Sequence, residues 1–414
     1  MSTTSTIPAI DVEKIREEFP ILHQKINGRD LVYFDNAATT QKPKQVIQAL
    51  VDYYQGYNAN IHRGIHTLAE KATRAFEETR DAARAFVNAR EKEEIIFLSR
   101  GVTEGVNLVA HSYGRTFIKA GDEIVVSAIE HHSNIVPWQM VCEEKGSKLR
   151  VIPVNDNGEL IIEEYLKLLN SKTKMVVLNH VSNSLGTINP IKEIIEAAHN
   201  VGAVVLVDGA QAAAHLKIDV QDLDVDFYAI SSHKMYGPTG AGILYGKREL
   251  LEKMPPFFGG GEMIKQVTFE KTTYNDLPYK FEAGTPNIAD TIALKPAIDF
   301  INGLTKEAIA QHEHQLLKYA TEKVGSMQGV RLIGTAKNKV GILSFVVEGI
   351  HHFDIGQMLD ARGIAVRTGH HCTQPLMDRL KIEGTVRASF AVYNTKHEVD
   401  QLVEGLDRIV SFLK

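Results

Sequence analysis

Seven short apolar runs rich in β-branched residues recur between residues 95 and 246, and helix-length segments separate most of them. The runs are IIFLS (95–99), EIVVS (123–127), LRVIPV (149–154), KMVVLNH (174–180), AVVLVD (203–208), DFYAIS (226–231) and AGILYG (241–246). A chain that alternates in this way builds βαβ units around a largely parallel sheet, the α/β class. AVVLV is apolar throughout, as a strand covered on both faces must be, and PIKEIIEAAHNVG (190–202) is a helix of the covering layer. Ligands of such sheets bind beyond the carboxyl ends of the strands. The chemistry of this chain is therefore expected just after each run.

Other segments complete the outline. Residues 68–89 read as a long helix, with Leu68, Ala72, Phe76, Ala83 and Phe86 spaced for one face. After about residue 300 the texture changes. A helix over 305–327 is followed by an apolar run, VGILSFVV (340–347), a helix beginning near Phe353, a strand IAVR (364–367) and a last helix from about Lys396. That pattern predicts a second, smaller α/β domain, and 414 residues suit two or three domains. The first ten residues are expected to be loosely ordered.

Composition excludes several classes. A net charge of −5 leaves no basic footprint for nucleic acid. Two cysteines cannot build a disulfide framework, so a reducing compartment is expected. No apolar run reaches the roughly 18 residues of a membrane span, and MSTTSTIPAI has no signal-peptide pattern. These readings predict a cytoplasmic protein. Three His–His pairs occur (131/132, 351/352, 370/371), but neither HExxH nor paired CxxC does. Adjacent histidines on a strand point to opposite faces, so no metal site is expected.

Four strand ends carry candidate chemistry. Asp208, in LVDGAQ, either caps the following helix or faces a cationic ring nitrogen. Lys234, in ISSHKMYGPTG, ends an apolar strand 26 positions later. Pyridoxal phosphate needs a lysine for its Schiff base and a carboxylate on its pyridinium nitrogen, and a desolvated lysine is a nucleophile. RGVTEGVNL (100–108) opens a helix, with Thr103 as expected N-cap, and its amides suit a phosphate. His131, in EHHSNIVPWQ, can lie on an aromatic ring and exchange protons near neutrality. Each signal is ambiguous alone. A phosphate turn, a ring stacker, a ring-nitrogen acid and a Schiff-base lysine together are specific.

With these residues the chain resembles the fold-type-I pyridoxal phosphate enzymes of the class V aminotransferase group, and within it the type II cysteine desulfurases, also described as selenocysteine lyases. The likeness includes DNAATTQKP (35–43), NIHRGIHTLA (60–69), RGVTEG, EHHSNIVPWQ, NHVSNSLGTINP (179–190), VDGAQ, SSHKMYGPTG, FEAGTPN (281–287), RTGHHC and VRASFAVYNT (386–395). It implies a segment 1–28 packing with the small domain, a large cofactor-binding domain (29–299) with a mostly parallel seven-stranded sheet, and a small C-terminal domain (300–414). It implies that Lys234 holds pyridoxal 5′-phosphate as a Schiff base, Asp208 meets the pyridinium nitrogen, and Gln211 and Asn183 face the phenolic oxygen. His131 would stack on the ring, and Thr103, Ser231 and His233 would bind phosphate. Thr285 would reach the phosphate of a neighbouring subunit in a homodimer with shared sites. Arg387 would clamp the substrate carboxylate, and Arg367 and His62 would line the substrate path. Similar enzymes often read RGTTE where this chain has Val102, which has no hydroxyl.

The resemblance also gives Cys372 a role that Cys142, expected to be a small buried hydrophobe, lacks. Cys372 lies in a Gly/His/Thr/Pro loop beside Arg367, His370 and His371, and a thiolate near cations is a nucleophile. L-cysteine would yield L-alanine and a persulfide on Cys372. A SufE-like or SufU-like carrier would take the sulfur towards iron–sulfur clusters, and selenocysteine should also react. The rivals are another enzyme of the group, an aminotransferase or kynureninase-like hydrolase, and a metal-binding or sulfur-carrier protein. FFGGGEMI (257–264) is either a flexible cover or an ordinary loop.

Overall fold

The computed structural model describes residues 10–413; the expectation for the first ten residues falls almost wholly outside that range. Seven strands form the central sheet: β1 (Ile95–Leu98), β2 (Glu123–Ser127), β3 (Lys148–Ile152), β4 (Thr173–Asn179), β5 (Val204–Asp208), β6 (Phe227–Ser231) and β7 (Gly242–Gly246). Their order is β1-β7-β6-β5-β4-β2-β3. β7 runs antiparallel to both neighbours and the other pairings are parallel. All seven runs read from the sequence are strands of this sheet.

Alternate strand residues feed two cores. Val125, Val205 and Val207 join one apolar cluster, whereas Ile124, Val126 and Leu206 join the cluster on the other face. Each such side chain contributes about 1.5–3 kcal/mol by leaving water. The sheet therefore needs helices on both sides, and the apolar runs show no alternation.

Helix α1 (Thr67–Val87) buries Ala69, Ala72, Phe76, Arg80, Ala83 and Val87. The expected face is thus displaced at its ends: Leu68 is exposed and Phe86 only half-buried. The reason is Arg80, a buried polar residue that apolar periodicity ignores. Helix α2 (Gly101–Val109) follows β1, and its first residue has φ +55°; a Cβ there would lie 2.4 Å from Ser231 Oγ, so only glycine fits. Helices α3 (Ile288–Leu304) and α4 (Lys306–Gly325) lead to a second sheet.

That sheet has four antiparallel strands, β8 (Val330–Ile333), β9 (Ile342–Val347), β10 (Arg367–Gly369) and β11 (Thr385–Ser389), in the order β8-β9-β11-β10. Helix α5 (Lys396–Leu413) packs on it through Val399, Leu402, Leu406 and Ile409. The stretch IAVR is not one strand. Ile364–Ala365 pairs in parallel with Val32–Tyr33, and Arg367 begins β10 in the other sheet. The chain turns this corner at Val366, which aims Arg367 away from the small core. Arg16 donates to the carbonyl of Tyr393 (2.6 Å) and to Glu398 (2.9 Å), and Asn27 donates to that of Asp360 (3.1 Å). No helix among the described residues is long and apolar enough to cross a membrane.

Candidate active site

A cavity of about 320 Å³ opens at the carboxyl ends of β1, β2, β4, β5 and β6. Its walls include Thr103, His131, Asn183, Asp208, Gln211, Ser231, His233 and Lys234, and the small sheet's side contributes Arg367, Cys372 and Arg387. Eleven predicted residues thus meet in one space. Two do not. Thr285 is exposed outside the cavity of its own chain. His62 also lies outside, with Nε2 3.1 Å from Glu77 and its ring against Tyr279.

Two of the expected caps differ. Thr103 sits inside the first turn of α2, whose preceding residue is Arg100. Asp208 does not cap a helix: the next one begins at Ala212, and the Asp208 carboxylate accepts from the Ala210 N–H at 2.8 Å. Burial raises the pKa of that carboxyl, and the charge of Lys234 opposes the shift. The reciprocal holds for Lys234, which ends the turn Ser232–Lys234 after β6. Desolvation lowers its ammonium from the ordinary lysine value, and Asp208 pulls the other way. Its amine has no hydrogen-bond or ion-pair partner among the described residues.

The backbone around Lys234 is firmly held. The carbonyl of His233 accepts from Thr40 N (3.0 Å), Thr39 Oγ1 (3.0 Å), Thr40 Oγ1 (3.2 Å) and Lys42 Nζ (3.1 Å). Burial brings Lys42 down to about 7 and His233 to about 4. The sequence reading missed this clamp, although DNAATTQKP, which supplies it, was among its motifs.

His131 is held at about 3, first by burial and then by the charge of Lys234, so its ring is neutral at physiological pH. Its Nδ1 accepts from Ser133 N at 3.1 Å. The amide of Gln211 donates to Ala37 O (2.7 Å) and that of Asn183 to His371 O (2.8 Å); each NH₂ keeps a second hydrogen. At the α2 N-terminus the Val102 N–H donates to Ser231 Oγ at 2.9 Å. Glu104 accepts from the Ser99 and Arg100 amides and steadies the turn.

Arg387 is buried. It donates to the carbonyl of Asn183 (2.7 Å) and to Asp35 (3.3 Å), and its Nε has no partner among the described residues. Asp35 also accepts from Arg367 Nη2 at 2.8 Å. Asp35 is the second omission of the sequence reading; its signal was its place at the head of DNAATT.

Cys372 is exposed, whereas Cys142 is only half-buried rather than enclosed. His371 does not supply charge to the thiol: its Nε2 lies 2.7 Å from Thr385 Oγ1, and burial with Arg387 holds it well below the usual histidine range.

The aminotransferase class-V family model matches residues 32–402. The chain belongs to the class-V aminotransferase family. A probable cysteine desulfurase of Halalkalibacterium halodurans is 51% identical over 399 residues, which span 96% of this chain and 98% of that protein. One of Vibrio cholerae is 48% identical over 404 residues, covering 98% of this chain and 100% of the relative. The crystal structure of the cysteine desulfurase CsdA of Escherichia coli, in an S-sulfonic acid form, superposes with a TM-score of 0.91 at 38% identity, covering 98% of this chain and 100% of that one. The fold is the fold type I of pyridoxal phosphate enzymes, and the class-V family uses that cofactor. The cavity fits it on its own evidence. An unpartnered, desolvated amine stands near a buried carboxylate, and a helix N-terminus whose first residue must be glycine faces the same space.

Proposed function

We propose that this chain is a pyridoxal phosphate-dependent cysteine desulfurase, converting L-cysteine to L-alanine with the sulfur received by Cys372. The observation that carries the reading is the exposed Cys372 on the wall of a cavity that also holds Lys234, Asp208 and Arg387. An aminotransferase or kynureninase-like hydrolase needs the lysine and the aspartate but no thiol at this position.

In this reading Lys234 binds the cofactor covalently, Asp208 pairs with its ring nitrogen, and Gln211 and Asn183 face its phenolic oxygen. His131 stacks on its ring. Thr103, Ser231, His233 and the amides opening α2 hold the phosphate, and backbone donors leave the site independent of a hydroxyl at Val102. When bound, pyridoxal phosphate supplies an electron sink for charge developing at the substrate Cα. Arg387 holds the substrate carboxylate, and its unpartnered Nε marks spare donor capacity for it. Arg367, on the mouth side, shares Asp35 with Arg387 and orients the same group. Lys234, whose ammonium burial disfavours, or the neutral ring of His131 accepts the Cα proton. The Cys372 thiolate then attacks the substrate sulfur. A sulfur–sulfur bond forms as the carbon–sulfur bond breaks, the electron pair stays with the carbon fragment, and protonation yields alanine. Selenocysteine, with a weaker bond to carbon, reacts by the same route.

The reading extends to the assembly. The protein is a cytoplasmic homodimer in which Thr285, which lies outside the cavity of its own chain, reaches the partner's phosphate; His62, expected on the substrate path, also lies outside its own chain's cavity. A carrier of the SufE or SufU kind takes the sulfur from exposed Cys372 for iron–sulfur cluster assembly. The large domain, 29–299, gives way to the small one, 300–414, near the end of α3, and the segment to residue 28 packs with the small domain through Arg16 and Asn27. Mass spectrometry after brief exposure to L-cysteine tests the core claim. One added sulfur on Cys372 is expected; alanine and sulfide formed with Cys372 unmodified would refute it.

A further inference from the structure

The loop that carries Cys372 is strained. His371 and Cys372 have φ of +51° and +57°, two successive non-glycine residues in the left-handed region that L side chains disfavour. Such a backbone persists only where its surroundings over-determine it. Here His371 is held by Asn183 and Thr385, and the Cys372 N–H donates to His370 Nδ1 at 3.1 Å. The remaining tether comes from His132, the residue after the predicted ring stacker. The His132 backbone N–H donates to the carbonyl of Cys372 at 2.8 Å, and His132 Nε2 accepts the N–H of Gln374 at 3.1 Å. His132 thus grips the loop on both sides of Thr373, from the segment that presents His131 to the cavity.

We propose that His132 is a positioning residue for the sulfur-accepting thiol, fixing the Cys372 loop against the His131 segment through its ring nitrogen and releasing that loop when the ring is protonated. The inference deepens the desulfurase reading and rests on it. An imidazole accepts a backbone N–H only through an unprotonated nitrogen. Protonated, His132 would present a donor to the donor of Gln374. The titratable groups around it are His370, with ring centroids 5.6 Å away, His131 beside it in the chain, and the Cys372 thiol. Burial and His370 both lower the pKa of His132, so the tether is intact at neutral pH and opens in acid. His370 accepts the Cys372 N–H of the same loop through its own ring nitrogen. A loop that can be freed one hydrogen bond at a time suits a thiol that must meet a buried substrate and then an external acceptor.

The test is amide hydrogen exchange at Gln374, read on the full chain with and without pyridoxal phosphate and corrected for intrinsic pH dependence. Wild type should show protection that is highest at neutral pH and is lost at pH values below the ordinary histidine range, the direction in which His132 is shifted. His132→Ala should lose that protection at every pH. His132→Gln, whose side-chain carbonyl accepts at any pH, should keep it and abolish its acid loss. Sulfur loading of Cys372 should slow at least tenfold in His132→Ala, with the KM for L-cysteine within about twofold and recovery in His132→Gln. Unchanged Gln374 protection in His132→Ala, or acid loss persisting in His132→Gln, would overturn the proposal. Failure of wild type to load sulfur on Cys372 would instead overturn the desulfurase reading, and the exchange result would stand apart from it.

Discussion

Arg387 and Asp35 meet at 3.3 Å beneath the cavity, and the same carboxylate holds Arg367 at 2.8 Å. One acid thus carries two guanidinium groups, one buried and one exposed. Burial takes Arg387 down to about 10, with Asp35 opposing, so it is cationic at neutral pH. The pair leaves net positive charge at the place where a substrate carboxylate would sit.

Replacing Arg387 by Ala should therefore weaken substrate capture more than cofactor binding. Loss of a desolvated charge pair with the carboxylate is worth at least about 2 kcal/mol, so the KM for L-cysteine should rise about 30-fold or more. Steady-state kinetics check this, and the visible absorbance of bound pyridoxal phosphate should be unchanged.

Cys372→Ala removes an exposed side chain from a loop whose backbone contacts come from His132, His370 and Asn183. Cofactor content and thermal midpoint should stay at wild-type values while alanine formation from L-cysteine falls by at least about a hundredfold. Retained alanine formation would assign the sulfur step to another group.

Glu130 carries a pH signature. Burial raises its carboxyl from 4.5 to about 7, against hydrogen bonds from Asn134 (2.7 Å) and the Asn179 N–H (3.0 Å). Between those values the native state holds a proton that the unfolded chain has lost. Stability from this group therefore declines as pH rises from 4.5 to about 7 and stays reduced above that, by an amount on the order of 3 kcal/mol. Glu130→Gln, the neutral isostere, should flatten this part of the stability profile and be more stable than wild type at pH 8, as measured by denaturant unfolding at several pH values.

Arg80 joins α1 to the segment bearing Thr285. Its guanidinium is fully buried, donating to Glu282 (2.7 and 2.9 Å) and to the carbonyl of Ile95 (2.8 Å). Glu282 in turn accepts the Phe97 N–H at 2.8 Å. Arg80→Leu would strand the carboxylate in the core, and a loss of about 3–5 kcal/mol is expected in unfolding experiments. Arg80→Leu paired with Glu282→Gln should recover part of it.

Much of this protein was legible in its sequence because backbone burial writes a local pattern. A strand covered on both faces must be apolar along its length, so the seven runs named their own strands, and the parallel sheet that they imply places Asp208, Lys234, His131 and Thr103 at one end of it. Contacts between distant segments leave no such pattern. Asp35 beneath Arg387, the donors from Thr39, Thr40 and Lys42 on the His233 carbonyl, the split of IAVR between two sheets and the grip of His132 on the Cys372 loop join segments far apart in the chain. Nothing local in the chain marks these pairings, because a hydrogen bond requires only that two groups arrive at the right distance. That arrival was decided by the tertiary packing that brings the 35–42 segment, the strand ends and the Cys372 loop around one cavity.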